Sequence, residues 1–158
     1  MLIGVISDSH GKVSAIDAAV RALEGASVYI HAGDYYCDGK LTARLSGVTC
    51  YAVSGNCDFG PRGPMELMIE LDGKKIYVVH GHLHSVKRGL DLLVKTAAQK
   101  GADIVVFGHT HVPVVAWSGN TLLFNPGSVS LGRSDLGNTC GSLEIKGGQV
   151  APRIIRIE

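Results

Sequence analysis

The feature that most constrains this fold is a series of short apolar runs, each followed directly by a turn of small residues that carries a polar side chain. Three such runs, at residues 2–6, 27–31 and 48–53, occupy the first third of the chain. Between the first two, residues 12–24 carry apolar side chains three or four positions apart, as a helix requires. A weaker helical pattern covers residues 40–45. This β-α-β-α-β order predicts a parallel sheet covered by helices.

The rest of the chain predicts mainly antiparallel strands around one helix. Segments 66–71 and 74–79 flank Asp72-Gly73, a dipeptide that strongly favours a hairpin turn. An amphipathic helix is predicted over residues 86–99, with Gly101 as its end cap. Further strands are predicted at residues 103–107, 112–117, 121–124, 142–146 and 150–157. A chain of 158 residues is expected to form one domain over 1–158.

Composition predicts a folded, soluble protein and excludes several kinds of partner. Apolar residues make up 46% and charged residues 18% of the chain, a balance typical of globular domains. A net charge of +1 gives no electrostatic reason to expect nucleic acid or an anionic membrane as partner. The apolar runs are too short to span a bilayer, and the amino terminus reaches Asp8 too early for a signal peptide. Four cysteines without CxxC spacing predict free thiols in a reducing cytoplasm.

Potential metal ligands follow five of the predicted strands. Ligands of open α/β sheets bind beyond the carboxyl ends of the strands, so these side chains are expected to converge in one crevice. A single histidine of this kind is more often an ordinary surface or core residue, but the whole set at one end of a sheet indicates a site. The candidate ligands are Asp8, His10, Asp34, Asn56, His80, His109 and His111.

The donor atoms of this set indicate which ions it suits. Carboxylate, amide and imidazole donors fit divalent Mn, Fe, Co, Ni or Zn better than thiolate-loving metals. Seven ligands exceed the need of one ion that keeps a position open for substrate, and they match two ions that share a bridging carboxylate. Neither GxxxxGK[ST] nor GxGxxG occurs, which counts against nucleoside triphosphates and dinucleotides.

The order of the motifs carries a family resemblance. Asp-x-His, Gly-Asp, Gly-Asn, His-Gly-His and Gly-His-Thr-His-x-Pro, in that order, resemble the calcineurin-like metallophosphoesterase superfamily. The compact length and the segments GNCD, GHTHVP and NPGS narrow the resemblance to the small bacterial and archaeal phosphodiesterase branch. It extends from Ile3 to about Ser130. The resemblance implies an α/β fold with mixed sheets in a four-layer α/β/β/α sandwich.

The resemblance also implies a metal-dependent phosphodiesterase with two divalent ions per chain, manganese being expected and Fe, Ni, Co or Zn being alternatives. One ion is then held by Asp8, His10, Asp34 and His111. The other is held by Asp34, Asn56, His80 and His109, so Asp34 bridges them. Two such ions lower the pKa of a bridging water, whose hydroxide attacks a phosphoryl group held for in-line displacement.

Other functions and partners stay open from the sequence. The alternatives to a phosphodiesterase are a phosphomonoesterase and a non-catalytic scaffold that resembles the eukaryotic retromer subunit, whose metal site is degraded. The expected partner is a small-molecule phosphoester, with neither nucleic acid nor membrane. A homodimer or a larger homo-oligomer is also open, because relatives often assemble in this way.

Cys57 departs from the pattern of the larger superfamily, many of whose members have a histidine there that is implicated in protonating the leaving group. A thiol with an ordinary pKa of about 8.5 is a poor substitute. Asp58 and His82 are the candidate proton donors, which makes Asp34, Asn56, Asp58 and His82 the candidate catalytic residues. We expect aryl phosphodiesters to be cleaved more readily than alkyl ones.

Three neighbouring features allow two interpretations each. His31 either orients a metal ligand or only packs in the core. The pair Tyr35-Tyr36 either lines the substrate cleft or packs within its loop. The segment NPGS at residues 125–128 is expected to form a tight turn at the border of the site.

Overall fold

The computed structural model describes residues 1–60 and 62–158, which form two five-stranded sheets and three α-helices. In chain order the elements are β1 (Leu2–Ile6), α1 (Val13–Ala22), β2 (Val28–His31), α2 (Cys37–Ser46), β3 (Cys50–Ala52), β4 (Glu66–Leu71), β5 (Lys74–Val79), a 3-10 helix (His82–His84), α3 (Asp91–Lys100), β6 (Ile104–Val106), β7 (Val114–Ser118), β8 (Thr121–Asn125), β9 (Thr139–Lys146) and β10 (Gln149–Arg156). In the part of the chain described, no helix has the length and apolar character that crossing a bilayer requires.

The first sheet has the strand order β10-β9-β1-β2-β3. Strands β1, β2 and β3 are parallel, as the β-α-β-α-β order of the sequence predicts. The hairpin of β9 and β10 extends this sheet because β9 pairs antiparallel with β1. The carboxyl ends of β1, β2 and β3 therefore lie along one edge, and the loops that follow them are neighbours.

The second sheet has the order β4-β5-β6-β8-β7 and corrects the expectation of mainly antiparallel strands. The hairpins β4–β5 and β7–β8 are antiparallel, as expected. The three central strands β5, β6 and β8 are parallel. Helix α3 is the crossover that makes β5 and β6 parallel, because a connection of this length returns the chain to the same end of the sheet.

The two sheets pack face to face between the helices, which confirms the four-layer α/β/β/α sandwich. Alternate residues of β1 show this arrangement, since Ile3 and Val5 pack against the second sheet whereas Ile6 packs against α1. The middle core also contains Val78 and Phe124 of the second sheet. A third apolar cluster lies between the second sheet and α3, and burial of all three clusters provides the main stabilising term.

Helix α3 begins later than the sequence predicts. The apolar spacing of residues 86–99 favours a helix over that whole range, but the helix spans Asp91–Lys100. Ser85 has φ 52° and Gly89 has φ 149°, values outside the right-handed helical region, and residues 85–88 form turns instead of helix. Val86 is nevertheless buried, which explains its apolar character. Gly101 adopts the left-handed conformation at the end of α3, as predicted.

Candidate metal centre

The seven candidate ligands converge where the loops after β1, β2, β3, β5 and β6 meet. The first three of these strands belong to one sheet and the other two to the second sheet, so the two packed sheets build the site together. The floor of the site is buried and consists of Asp8, Asp34, His80 and His111. Asn56 is exposed, and His10 and His109 are partly exposed, which leaves one side open to solvent.

Five of the seven candidate ligands have a left-handed backbone. Their φ angles lie between 49° and 69°, in a region that residues other than glycine rarely adopt. Such conformations cost about 1–3 kcal/mol each and persist where the surrounding structure enforces them, typically at ligand sites. The five residues are Asp8, His10, Asp34, His109 and His111.

One group of donors surrounds Asp8. The Nε2 atom of His111 lies 3.1 Å from Asp8 Oδ1, and His10 Nε2 lies 3.4 Å from His111 Nε2. Oδ2 of Asp34 is 3.7 Å from His10 Nε2. One ligand atom from each of these four residues lies within 4.8 Å of those of the other three, a spacing that suits a shared cation.

A second group surrounds His80. Its Nε2 atom lies 3.2 Å from Asp34 Oδ1, 3.1 Å from Asn56 Oδ1 and 3.2 Å from His109 Nδ1. Asp34 thus faces the first group with Oδ2 and the second with Oδ1. The structure brings together the two sets of side chains that the resemblance implies, with Asp34 between them.

Hydrogen bonds on the far side of two imidazole rings determine their tautomers. Nδ1 of His80 lies 2.9 Å from the carbonyl of Ala32, and Nδ1 of His111 lies 2.9 Å from the carbonyl of Leu131. A carbonyl only accepts, so both Nδ1 atoms carry a proton. In its neutral form each ring therefore presents the lone pair of Nε2 to the site, where a metal ion or a second proton binds. This arrangement is the one that metal-ligating histidines show.

The candidate ligands fit a cation because their atoms that face the interior of the site are hydrogen-bond acceptors, and too few protons lie between them. Asp8 Oδ1 is buried and has no hydrogen-bond donor among the described residues, and its close neighbour is the lone pair on His111 Nε2. A buried carboxylate oxygen against an imidazole lone pair is unfavourable unless a proton or a metal ion lies between them. These residues therefore fit divalent metal ions.

The pKa shifts reflect the same shortage of positive charge. Burial lowers the pKa of His80, but the hydrogen bond to Asp34 and the charges of Asp8 and Asp34 outweigh it, so the pKa is raised. Burial and the charge of His80 lower the pKa of His109 to about 4. Burial opposes ionisation of Asp34, but His80 and the Cys57 N–H group hold its pKa below the usual range. A proton on His80 thus partly substitutes for a cation.

Backbone contacts hold Asp8 in place from below. The Ser128 and Ser130 hydroxyls donate to its carbonyl at 2.8 and 2.9 Å, and the His109 N–H donates to its Oδ2 at 3.1 Å. Asn125 donates to the carbonyl of Gly108 at 3.0 Å, which fixes the loop after β6. The NPGS segment therefore lies at the border of the site, as expected, and positions ligands, but residues 126–128 form an irregular loop after β8 rather than the expected tight turn.

A buried polar chain joins the loops after β1 and β2. Nδ1 of His31 accepts the Gly33 N–H, so its Nε2–H donates to Ser9 Oγ at 2.8 Å. The Ser9 hydroxyl donates in turn to Asp38 Oδ2 at 2.6 Å, and this oxygen also accepts the Gly11 N–H at 2.9 Å. His31 thus orients the ligand loops. Sequence reasoning missed Ser9 and Asp38, since an isolated polar residue carries no periodic signal.

The glycines that precede the ligands are required by close packing. A Cβ atom at Gly55 would lie 2.1 Å from Asp34 Oδ1 and 2.5 Å from the Asp34 nitrogen. At Gly108 a Cβ would lie 2.0 Å from Ser7 Oγ and 2.6 Å from Asp8 Oδ2. The glycines of Gly-Asn and Gly-His therefore let the loops approach the two carboxylates.

Cys57 and Asp58 both serve the backbone around Asp34. The Cys57 N–H donates to Asp34 Oδ1 at 3.0 Å, while burial and the Asp34 charge raise the pKa of its thiol to about 11. Asp58 accepts the Tyr36 N–H at 2.6 Å and the Gly55 N–H at 2.7 Å, one with each carboxylate oxygen. This geometry favours a structural role for Asp58 over that of a proton donor, since both of its carboxylate oxygens are already engaged by backbone N–H groups.

His82 lies at the edge of the site. Its ring centroid is 5.4 Å from that of His80 and 6.1 Å from that of His109, and its buried Nδ1 has no partner among the described residues. Burial and the charge of His80 lower the pKa of His82. His84 instead packs edge-on against Tyr77, on the outer side of the sheet.

Comparisons with known proteins agree with this geometry. Residues 1–148 match the calcineurin-like phosphoesterase superfamily domain. The chain is 37% identical over 131 residues to a Bacillus subtilis (strain 168) protein named "Probable metallophosphoesterase YsnB", with 82% of this chain and 75% of that protein covered. It is 30% identical over 150 residues to phosphodiesterase YfcE of Escherichia coli (strain K12), with 79% of this chain and 77% of YfcE covered.

A solved structure extends the similarity to the whole fold. A Streptococcus pneumoniae TIGR4 protein, described as a conserved uncharacterized protein and predicted phosphoesterase, has a TM-score of 0.82 and 28% identity, with 98% of this chain and 88% of that chain covered. The motif order, the fold and these relatives lead to the same conclusion. The chain belongs to the calcineurin-like phosphoesterase superfamily.

Proposed function

We propose that this chain is a metal-dependent phosphodiesterase that holds two divalent ions, manganese being the expected metal, and acts on small-molecule phosphodiesters as one domain over residues 1–158. The observation that carries the proposal is the close packing of carboxylate oxygens and imidazole nitrogens in the buried floor of the site. His111 Nε2 lies 3.1 Å from Asp8 Oδ1, and His80 Nε2 lies 3.2 Å from Asp34 Oδ1. Such pairs need a proton or a metal ion between them, and membership of the superfamily favours metal ions and hydrolysis of phosphoesters.

The two groups of donors support the assignment of ligands. In this proposal Asp8, His10, Asp34 and His111 hold one ion, and Asp34, Asn56, His80 and His109 hold the other. When bound, two divalent ions supply Lewis-acid chemistry, which activates water and offsets the charge of the phosphoryl group. Asp8 and Asp34 are the only carboxylates in the set, so the loaded centre stays cationic and attracts an anionic substrate.

The chain's own residues hold this chemistry in place. The Cys57 N–H keeps Asp34 oriented at 3.0 Å, and the tautomers of His80 and His111 are fixed by backbone carbonyls. Metal ligands that are fixed in this way need little reorganisation during the reaction. The exposed side of the site, at Asn56 and His109, is where a phosphodiester enters.

Protonation of the leaving group determines which phosphodiesters the enzyme cleaves. With a good proton donor it cleaves phosphodiesters in general, and without one it is limited to esters with an activated leaving group. The Cys57 thiol has a pKa raised to about 11, and both oxygens of Asp58 already accept N–H bonds. His82 is the remaining candidate donor beside the site, and its pKa is lowered by burial. Weak protonation at neutral pH favours substrates whose leaving group departs as a stable anion, such as aryl phosphodiesters.

The test compares two substrates that release the same chromophore. Bis(p-nitrophenyl) phosphate reports diester hydrolysis and p-nitrophenyl phosphate reports monoester hydrolysis, each with Mn²⁺, Ni²⁺, Zn²⁺ or Mg²⁺. We expect faster diester hydrolysis and two ions per chain by elemental analysis. Asp34→Asn should lose more than about 100-fold in rate, because even residues behind metal ligands contribute 10–100-fold. Asp17→Asn, on the surface of α1, is the matched control.

Each contrary result favours a different alternative. Preference for the monoester favours a phosphomonoesterase. Binding of less than one ion per chain, with no hydrolysis in Mn²⁺, favours the non-catalytic scaffold. Full activity of Asp34→Asn with normal ion binding contradicts the bridging role of this carboxylate.

A further inference from the structure

A pocket of about 250 Å³ opens beside the candidate metal centre, between the loop after β2 and the loop after β3. It is directly connected to the two ligand loops, because one wall follows Asp34 in the chain and the other follows Asn56. The residues that line it are Tyr35, Cys37, Cys57, Asp58, Phe59 and Gly60. None of these is among the candidate metal ligands.

Two exposed aromatic side chains form the walls of the pocket. Phe59 is 87% exposed and Tyr35 is 42% exposed. The Tyr35 ring lies edge-on to the ring of His10, with the centroids 5.8 Å apart and an angle of 69° between the planes. One wall of the pocket therefore contacts a candidate metal ligand, while the other presents an almost free aromatic face to whatever enters.

The pocket is lined mainly by uncharged groups, and its one carboxylate is already held by the backbone. Asp58, its one carboxylate, accepts the Tyr36 N–H with one oxygen and the Gly55 N–H with the other, which ties the two loops together. Cys57 contributes a thiol, and its N–H is bonded to Asp34 at 3.0 Å. An occupant is thus selected by flat apolar surface rather than by ion pairing.

We infer that this pocket binds a planar, uncharged aromatic group carried by the leaving alcohol of the phosphodiester. The inference rests on the proposed function, because it takes the phosphoryl group to be held at the centre. Cys57 lines the pocket and directly follows Asn56 in the chain, so an ester oxygen that leaves on this side carries its substituent between Tyr35 and Phe59. The group expected in the pocket is an aromatic ring, which is either a simple aryl group or a nucleobase.

Binding of phosphonates tests the inference without catalysis, because their P–C bond is not hydrolysed. Isothermal titration calorimetry of the Mn²⁺-loaded protein compares phenylphosphonate with methylphosphonate, which share the anionic group and differ in the ring. We expect phenylphosphonate to bind more tightly. A nucleoside 5′-phosphonate, whose base lies one ribose away, distinguishes a nucleobase from an aryl occupant according to which of the two binds more tightly.

Substitutions at Phe59 locate the effect, and the exposure of this residue leaves the core untouched. Phe59→Ala should weaken phenylphosphonate binding about three- to tenfold, the range of an aromatic pair, and leave methylphosphonate binding unchanged. Phe59→Tyr should keep the affinity. Trp117→Ala removes another exposed aromatic side chain, outside this pocket, and should change neither affinity.

The outcomes separate failure of the pocket from failure of the centre. Normal methylphosphonate binding without a preference for phenyl, or a preference that survives Phe59→Ala, overturns the aromatic pocket alone. Loss of both phosphonates in Phe59→Ala also overturns it, since the residue would then act on the centre. Absence of methylphosphonate binding in the Mn²⁺-treated wild type overturns the proposed centre and the pocket with it.

Discussion

Replacing Asp8 with asparagine should stabilise the metal-free protein and at the same time remove its response to metal. The Oδ2 atom of Asp8 accepts hydrogen bonds from Ser7 Oγ at 2.6 Å and from the His109 N–H at 3.1 Å. Its Oδ1 atom faces the lone pair of His111 Nε2 at 3.1 Å. An asparagine that keeps its oxygen at the Oδ2 position places its NH₂ group where it donates to His111.

The expected gain follows from the burial of Asp8, which has no solvent exposure. A buried acceptor without a partner costs about 1–3 kcal/mol, and the asparagine removes one such acceptor. For a domain of this size, each kcal/mol shifts the melting temperature by about 2–4 °C. Wild type should gain about 2.7 kcal/mol from metal at 100 times its Kd, whereas the variant has lost a ligand and should gain far less.

The gain should depend on pH in a defined direction because of His80. Its pKa is raised in the folded protein, since Asp34 and Asp8 outweigh the effect of burial. A raised folded pKa means that this stabilisation is complete below the unfolded value of about 6.5 and is lost as the pH rises through the folded pKa. Asp8 supplies part of this stabilisation, so metal-free wild type loses that part as the pH rises, whereas Asp8→Asn lacks it at every pH and its advantage should grow.

The assay is thermal unfolding in EDTA and in Mn²⁺, near pH 6 and near pH 9. Asp17→Asn is the control, because Asp17 forms an exposed ion pair with Arg21 at 2.8 Å on α1. Its loss should change stability by about 0.5 kcal/mol or less. The reasoning is refuted if metal-free Asp8→Asn melts below wild type near pH 9, or if it keeps the full shift in Mn²⁺.

Two further predictions concern leaving-group protonation and acid sensitivity. Cys57→His should raise kcat/KM for alkyl phosphodiesters relative to aryl ones, because an imidazole replaces a thiol whose pKa is about 11. General acid catalysis contributes about 10²–10⁴-fold to such reactions. An unchanged ratio of the two kcat/KM values would contradict this account. For His31, burial lowers the pKa, so the folded protein excludes a proton that the unfolded chain accepts below about pH 6.5, and stability is lost as the pH falls. His31→Gln should flatten the fall of the melting temperature between about pH 7 and pH 5, and a fall as steep as that of wild type would show that His31 does not contribute.

The convergence of ligands from β1, β2 and β3 could be predicted from the sequence, because parallel strands of one sheet end at a common edge. The contribution of β5 and β6 could not be predicted in this way. These strands belong to the second sheet, and local patterns do not reveal how two sheets are aligned. The sequence predicted all five strand ends at one end of a single sheet, and the structure corrects this: the ligand loops meet because two packed sheets are aligned, with Asp34 between His10 and His80.

The start of α3 shows a limit of apolar periodicity. Val86 and Leu90 continue the spacing of Leu93 and Ala97, so the pattern predicts one helix over all four residues. In the structure Val86 reaches the same core from a turn, because burial requires only that a side chain point inward. Gly89 distinguishes this turn from a continuous helix, because its φ of 149° interrupts the helical backbone.

The contacts behind the ligands explain how this fold maintains a site that is unfavourable without metal. Left-handed backbone at the ligands and an unpartnered Asp8 oxygen both reduce stability. Ser128, Ser130 and the chain from His31 through Ser9 hold the loops in that state by bonds that do not involve the metal-facing atoms. These bonds fix the loops independently of the metal-facing atoms, so ion binding has less of the loop order to supply. Substitutions behind the ligands should therefore weaken metal affinity without altering which donors the ion contacts.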